Sequence, residues 1–125
     1  MAHWDIRLEL RPRRRILVTI VGDITLEDAA YAAERTAKLL DASVTPTEVI
    51  IDLRELIGYP VSARDHWSDL LKSRRARIHQ LTWVTPKSTY RMVGRAVGLF
   101  VGIPTRVLDE PEAATESIAA TSGFA

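Results

Sequence analysis

Apolar and polar residues alternate at the start of the chain. Over residues 4–10 every second side chain is apolar, and this period of two predicts a half-buried β-strand. The next apolar run, residues 16–21, is almost continuous and rich in β-branched side chains, which is typical of an interior strand covered on both faces. A charged turn containing Pro12 separates the two runs, so we expect them to form a hairpin.

A helical repeat follows the hairpin. Small and aliphatic side chains recur at helical spacing, at Leu26, Ala29, Ala33, Ala37 and Leu40. This spacing predicts an amphipathic helix that ends near Asp41. Thr25 and Asp28 have the spacing of a capping box, in which each side chain bonds the backbone N–H of the other residue.

The middle of the chain predicts one buried strand and a second helix. Residues 49–53 form a short apolar run that indicates a parallel strand, and residues 54–60 are expected to be a loop. Ser62 and Asp65 are expected to be a second cap pair at the start of the helix. Its inner face is apolar and its tail is basic, with Trp67, Leu70 and Leu71 followed by Lys72, Arg74, Arg75 and Arg77.

The last third of the chain completes an alternation of strands and helices. Four elements are predicted there, namely strand 80–85, helix 88–101, strand 106–108 and helix 110–120. The resulting order, ββαβαβαβα, predicts an α/β fold with a five-stranded mixed sheet and four helices. We expect a single domain over residues 1–125, with an ordered core over about residues 4–120.

Composition limits the class of protein. The chain has 125 residues, of which 46% are hydrophobic and 26% are charged, as is normal for one globular domain. It contains no cysteine, which excludes a disulfide framework, a thiolate zinc site and a cysteine nucleophile. The net charge is only +1, so no global field favours nucleic acid or a membrane surface.

The distribution of apolar and basic residues bears on location and partners. The longest apolar run, residues 96–103, is far shorter than the roughly 20 residues of a membrane span, and the first residues have no signal-peptide pattern. We therefore expect a cytoplasmic protein without stable membrane insertion. Two basic clusters, residues 11–15 and 72–77, are expected to be solvated faces. No aromatic side chains interleave with them as a stacking platform for nucleic acid.

Three stretches carry a family resemblance. They are residues 21–28 (VGDITLED), where a strand leads into a helix, residues 49–54 (VIIDLR), and residues 91–107 (RMVGRAVGLFVGIPTRV). Their order and spacing resemble the STAS fold and, more closely, the SpoIIAA-like (STAS/SEC14-type) bacterial proteins. The resemblance implies a small regulatory or protein-interaction module with a STAS-like fold.

The resemblance also points to Ser62. In antagonist members of the STAS family, a partner kinase phosphorylates a serine at the start of the helix after the third strand, and Ser62 is the best match. The family strand usually ends Asp-Leu-Ser, whereas this chain has Arg54 at the last of these positions. Ser62 therefore has two interpretations. It is a helix cap, or it forms a phospho-switch or anion site with Arg54 and Arg64.

Glycines recur in the third predicted helix. Gly94, Gly98 and Gly102 are four residues apart, which places them along one stripe where another part of the molecule comes close. The simplest explanation is tight packing of the helix on its own sheet. A homodimer seam and a groove for an apolar ligand are the alternatives, and Gly102 is also placed as a C-terminal cap.

No residue pattern indicates catalysis, a cofactor or a metal. His3, His66 and His79 lack metal-ligand spacing, and no P-loop, dinucleotide fingerprint or nucleophile elbow occurs. The favoured function is a non-catalytic regulatory or protein-interaction module, expected to form a homodimer. The first alternative is a small carrier of an apolar or lipid-like ligand. The second is a small enzyme that uses the rim where the parallel strands end.

Overall fold

A computed structural model describes residues 3–11 and 13–110. These residues form six strands, β1 (His3–Glu9), β2 (Arg15–Asp23), β3 (Thr47–Asp52), β4 (Leu56–Gly58), β5 (Ile78–Val84) and β6 (Thr105–Leu108). They also form three α-helices, α1 (Leu26–Asp41), α2 (Val61–Ser73) and α3 (Ser88–Val101), and a short 3-10 turn at Arg75–Arg77. Strands alternate with helices, as the sequence predicts for an α/β fold.

The strands form one mixed sheet in the order β1-β2-β3-β5-β6. The hairpin strands β1 and β2 are antiparallel, with Ile6 opposite Val18, and the pairs β2–β3, β3–β5 and β5–β6 are parallel. The predicted hairpin and the predicted mixed sheet are therefore confirmed. The parallel order brings the carboxyl ends of β2, β3 and β5 to one edge of the sheet.

The sheet has one strand more than the sequence predicts. The strand β4 lies within the predicted loop 54–60 and pairs with the end of β2, where Gly22 is opposite Leu56. The N–H of Gly22 donates to the carbonyl of Glu55 at 2.9 Å, and the N–H of Ile24 donates to that of Gly58 at 3.0 Å. Three residues are too few to show a period of two, so the pattern gave no sign of this strand.

The number of helices also differs from the prediction. The described part of the chain contains three α-helices, not four, and α3 ends at Val101. The predicted final helix, residues 110–120, lies outside the described residues apart from Glu110, which is not helical.

The three helices pack on one face of the sheet. Their buried side chains share a single apolar core with alternate residues of the strands, among them Ile16 and Val18 of β2 and Ile51 of β3. On the opposite face, Ile50 and Val84 form a smaller apolar cluster with Leu17 at its margin. The interior strand β2 is consequently buried at Ile16 and Val18 but only half-buried at Leu17, so the expected equal cover on both faces is only partly correct.

The start of α1 confirms the predicted capping box. The N–H of Asp28 donates to Oγ1 of Thr25 at 3.1 Å, and the N–H of Thr25 donates to Oδ2 of Asp28 at 3.0 Å. The helix ends at Asp41 as predicted. Two backbone N–H groups of the first turn are thereby satisfied.

The second cap prediction is wrong. The N-cap of α2 is Pro60, whose backbone is extended, and no side chain caps this helix. Ser62 is already the second helical residue, so its hydroxyl lacks the extended backbone from which an N-cap side chain folds over the first turn. The carbonyl of Pro60 instead accepts the N–H of Ala63 at 2.9 Å.

The glycine stripe of α3 is explained by packing within the chain. A Cβ on Gly94 would lie 2.8 Å from Cγ of Trp83, and a Cβ on Gly98 would overlap the hydroxyl of Thr105. Gly102 is the C-cap of α3 with a φ of 74°, a left-handed conformation that favours glycine. The predicted tight packing on the sheet and the predicted C-cap are both confirmed.

Candidate functional site

A cavity of about 70 Å³, open to solvent on one side, lies between the sheet and helices α2 and α3. It is at the carboxyl-end edge of the parallel strands, where α/β folds commonly bind ligands. Its walls come from three places, namely the strands and their ends (Ile20, Ile24, Ile51, Leu53, Leu56, Tyr59 and Trp83), α2 (Ala63, Arg64 and Trp67) and α3 (Tyr90, Val93, Gly94 and Val97). The volume exceeds the roughly 10–15 Å³ that one water needs.

The walls are almost wholly apolar, and two tryptophans are among the residues that form them. Trp67 and Trp83 line the cavity and are only 8% and 7% exposed. Neither Nε1 atom has a hydrogen-bond partner among the described residues, although both atoms are buried. A buried donor without a partner costs about 1–3 kcal/mol, so an acceptor that the described residues do not supply would stabilise these groups.

The shape of the cavity depends on Gly94 of α3, which lies against Trp83 of β5. Because Gly94 has no side chain, α3 can lie directly against the indole of Trp83. The neighbouring residues of α3 that face inward, Val93 and Val97, complete this wall. The close approach places a large aromatic ring at the floor of the cavity without separating the helix from the sheet.

Two side chains at the start of α3 form hydrogen bonds to the backbone of β4, at the rim of the cavity. Nζ of Lys87 donates to the carbonyl of Leu56 at 3.0 Å, and the hydroxyl of Tyr90 donates to the carbonyl of Ile57 at 3.1 Å. The rings of Tyr59 and Tyr90 lie 5.8 Å apart between centroids. The segment around β4 is thereby held over one side of the opening.

Burial raises the pKa of the Tyr90 phenol, and the nearby Tyr59 and Asp23 raise it further. A protonated hydroxyl can go on donating to the carbonyl of Ile57. Arg64 brings a positive charge to the lining. Its Nε atom lies 3.7 Å from the carboxylate of Asp65.

The residues of the predicted anion site are not joined by hydrogen bonds in the described structure. Nε of Arg54 donates to Oδ1 of Asp52 at 3.0 Å, and Nη2 donates to Oδ2 at 2.8 Å. This pairing with Asp52 raises the pKa of Arg54 and occupies the edge that an anion would use. Ser62 is exposed, and Arg64 lines the cavity. A phospho-switch at Ser62 stays a prediction.

Of the three glycines predicted for a ligand or dimer face, one belongs to the cavity. Gly94 lines it, Gly98 lies under Thr105, and Gly102 ends the helix. The sequence predicts Trp67 on the inner face of its helix, which is correct, but it assigns neither Trp67 nor Trp83 to a site. The indole N–H group of each tryptophan was the feature that could have pointed to a site, because a buried indole N–H usually has a hydrogen-bond partner.

A polar cluster lies on the face of the sheet that the helices do not cover. The carboxylate of Glu48, 1% exposed, accepts from Oγ1 of Thr82 at 3.0 Å and from Nη2 of Arg106 at 3.2 Å. Arg13 lies 3.8 Å from the same carboxylate. Arg15, opposite Glu48 in the strand register, is 2% exposed. The prediction that residues 11–15 form a solvated face is therefore wrong for Arg15.

Residues 3–11 and 13–110 form neither a metal-ligand cluster nor a helix suited to cross a bilayer. In these ranges no three histidine, aspartate or glutamate side chains come together as metal ligands would. None of the described helices has the length and apolar character needed to cross a bilayer.

Comparison with known proteins shows the fold. An uncharacterized protein from the DUF3478 family, which has a SpoIIAA-like fold and comes from Shewanella loihica PV-4, superposes with a TM-score of 0.76 and 17% sequence identity. The alignment covers 93% of this chain and 94% of that chain. No family model and no curated protein matches the sequence. The chain thus has a SpoIIAA-like fold, as the sequence resemblance implies.

Proposed function

We propose that this chain is a non-catalytic binding module whose cavity takes up a small, mostly apolar molecule with a hydrogen-bond acceptor. The observation that carries the proposal is an apolar cavity lined by Trp67 and Trp83, whose buried Nε1 atoms have no hydrogen-bond partner among the described residues. At the coarse level, the SpoIIAA-like fold supports a STAS-type module. The proposal favours the carrier among the functions that the sequence leaves open.

Water is a poor occupant of such a cavity. A buried water typically makes about three hydrogen bonds, some as a donor, whereas the two indoles offer only donors. A ketone, ester or ether oxygen accepts without needing to donate, and its carbon skeleton fits the aliphatic walls. Release of apolar surface from water then contributes roughly 25 cal/mol per Å².

The side chains at the cavity favour binding over catalysis. General acid–base chemistry needs a titratable group within hydrogen-bond reach of the reacting atom. The described residues of the lining include no histidine or carboxylate side chain, and the ionisable ones among them are Arg64, Tyr59 and Tyr90. Tyr90 already donates to a backbone carbonyl, and Arg64 lies near Asp65.

Two ligands of similar shape test the proposal. Cyclohexanone carries one acceptor and cyclohexane carries none, so calorimetric titration of both measures what the acceptor contributes. We expect the ketone to bind more tightly. Trp67→Phe and Trp83→Phe keep an aromatic ring but remove the N–H, and the loss of one hydrogen bond should weaken ketone binding about fivefold. Cyclohexane binding should change little.

Trp4 supplies the matched control. Its indole stacks near Tyr31 at 5.0 Å between ring centroids and does not line the cavity. Trp4→Phe should leave the preference for the ketone unchanged. Equal affinity for the two ligands in the wild type would contradict the proposal, as would a ketone preference that survives in both cavity variants.

A protein-interaction module is the second candidate function. It is favoured by exposed apolar side chains on α3, where Met92 is 69% exposed, Leu99 85% and Phe100 55%. These three residues are not part of the hydrophobic core and do not line the cavity. A partner surface would account for them.

A further inference from the structure

The face of the sheet opposite the helices is buried more fully than the described elements explain. We call it the rear face, and its central side chains are those of Arg15, Leu17, Glu48, Ile50, Thr82, Val84 and Arg106. Ile50 is 2% exposed, and Thr82 and Val84 are fully buried, although α1, α2 and α3 all pack on the other face. Neighbouring strands shield only the flanks of such side chains, and full burial of a sheet face needs a second layer. The described part of the chain supplies no such layer.

Buried guanidinium groups on the rear face lack acceptors. Arg15 is 2% exposed, and its Nε and Nη2 atoms have no hydrogen-bond partner among the described residues. Nε of Arg106 is buried and unpartnered as well, although Nη2 of this residue donates to Glu48. Buried polar groups nearly always have partners. The missing layer should therefore offer hydrogen-bond acceptors as well as apolar side chains.

The chain continues beside this face. The strand β6 ends at Leu108, which is opposite Val84 in the register, and residues 111–125 follow with the sequence PEAATESIAATSGFA. These residues lie outside the described part of the chain. Pro111 is a favoured residue in the first turn of a helix, and the sequence predicts a helix over residues 110–120. A segment tethered next to the rear face has a high effective concentration there.

The predicted helix has one apolar side. Ala114 and Ile118 are four residues apart, and so are Glu112 and Glu116. At about 3.6 residues per turn, these two pairs fall on opposite sides of a helix. The apolar pair can therefore contact the sheet while the two glutamates point to solvent.

The length of the predicted helix matches the rear face. A helix over residues 111–120 is about 15 Å long. Val84 is opposite Asp52, and from there back to Glu48 the strand rises by about 13 Å. A helix that starts beyond β6 and runs back over the face therefore ends near the level of Glu48 and of Arg15, its neighbour in the register. The last carbonyl groups of a helix have no partner within it and carry the negative end of its dipole, which favours a guanidinium.

We propose that residues 111–120 form a helix that covers the rear face, with its apolar side against Ile50 and Val84 and its terminal carbonyl groups accepting from Arg15. One segment then supplies both the apolar cover and the missing acceptors. The tether favours this segment over a second copy of the chain, which has to dock from solution. The rear face and the ligand cavity are on opposite sides of the sheet, so the inference does not depend on the proposed ligand.

A spin label on the segment locates it in the full-length protein. The chain has no cysteine, so Glu116→Cys provides a single attachment site for a nitroxide, on the side of the predicted helix that faces away from the sheet. The nitroxide broadens the signals of nearby amide protons, and the effect falls steeply with distance. We expect the amide signals of Ile50, Thr82 and Arg106 to lose most of their intensity. The signal of Glu34, which is exposed on α1, should keep its intensity because the sheet and the helix layer separate it from the label.

Two variants of the labelled protein test which side of the helix meets the sheet. Ile118→Asp places a charge against apolar side chains and should abolish the selective broadening. Glu112→Gln is the matched control, because it lies on the opposite side of the predicted helix, and it should leave the broadening unchanged. The amide signals of Leu40 and Leu71, both in the hydrophobic core, report whether the rest of the fold is intact.

Three outcomes would overturn the inference. The first is that the rear-face signals keep their intensity, or that Glu34 is broadened as much as they are. The second is selective broadening that persists in the Ile118→Asp variant, which would show that the apolar side of the helix does not hold it in place. The third is broadening that appears only when spin-labelled protein is mixed with a nitrogen-15-enriched, unlabelled copy, which would assign the rear face to a second chain.

Discussion

A Cβ atom on Gly94 would lie 2.8 Å from Cγ of Trp83, closer than side-chain carbons come in folded proteins. The missing side chain on α3 and the large ring on β5 are therefore complementary. Their contact forms part of the wall of the apolar cavity, which both residues line. Packing between a helix and its own sheet thus determines the shape of the candidate binding site.

Replacing Gly94 with alanine tests this complementarity. The added methyl must displace the indole, and such overpacking typically costs about 1–3 kcal/mol, partly offset by up to about 1 kcal/mol from better helix propensity. We expect Gly94→Ala to lower the free energy of unfolding by about 1–2 kcal/mol and to weaken cyclohexanone binding. Urea denaturation and calorimetry measure the two effects. Thr89→Ala, at an exposed position of α3, should change neither.

Two hydroxyl residues at helix starts should respond differently to removal of the hydroxyl. Thr25 accepts the N–H of Asp28 in the capping box, so Thr25→Ala should lower stability by about 1 kcal/mol. Ser62 is exposed and forms no side-chain cap, so Ser62→Ala should stay within about 0.5 kcal/mol of the wild type. Equal losses in urea denaturation would show that Ser62 caps α2 after all.

The buried carboxylate of Glu48 should contribute strongly to stability. Glu48→Gln removes the charge of a buried carboxylate that faces Arg106 and Arg13, whose side chains are 39% and 63% exposed. Loss of a hydrogen-bonded buried charge of this kind should cost about 1–3 kcal/mol. The matched control is Glu34→Gln. Glu34 is exposed and lies 3.7 Å from Lys38 on α1, where such a pair contributes well under about 1 kcal/mol. Similar denaturation midpoints for the two variants would contradict a special role for Glu48.

Stability at acid pH should depend on Asp41. Hydrogen bonds from Arg74 lower the pKa of the Asp41 carboxyl below its ordinary value of 3.8. Because the pKa is lower in the folded state, the carboxylate stabilises the fold above pH 3.8 and loses this effect as the pH falls through the folded-state pKa. Asp41→Asn should therefore have a flatter profile of denaturation midpoint against pH in the acid range. An unchanged slope would show that the pairing is not formed in solution.

Elements with local periodicity could be predicted from the sequence. The helix α1 and its capping box depend on side chains a few residues apart, and α3 spans Ser88–Val101 as predicted. The strand β4 could not be predicted in this way, because its pairing depends on backbone bonds between Gly22 and Glu55, which are far apart in sequence. The start of α2 was misplaced by two residues for a local reason, since Pro60 already serves as the N-cap.

The candidate site was predictable only in part. The carboxyl-end edge of the sheet was expected to be the ligand rim, with Arg64 near it, and Gly94 was expected in a separate ligand or dimer face. Both residues line the cavity. Which face of each tryptophan meets a void depends on how α2 and α3 pack, and no periodic pattern encodes that. Burial of Arg15 beside Glu48 is likewise a property of the assembled sheet, and a run of arginines in sequence gives no sign of it.

The proposed ligand supplies the acceptor that the indole N–H groups of Trp67 and Trp83 lack among the described residues. A two-dimensional proton–nitrogen spectrum resolves the indole N–H signals of Trp4, Trp67 and Trp83, which are assigned with the three phenylalanine variants. On addition of cyclohexanone we expect the Trp67 and Trp83 proton signals to move downfield while that of Trp4 stays in place. No movement at saturating cyclohexanone, or equal movement with cyclohexane, would contradict the claim.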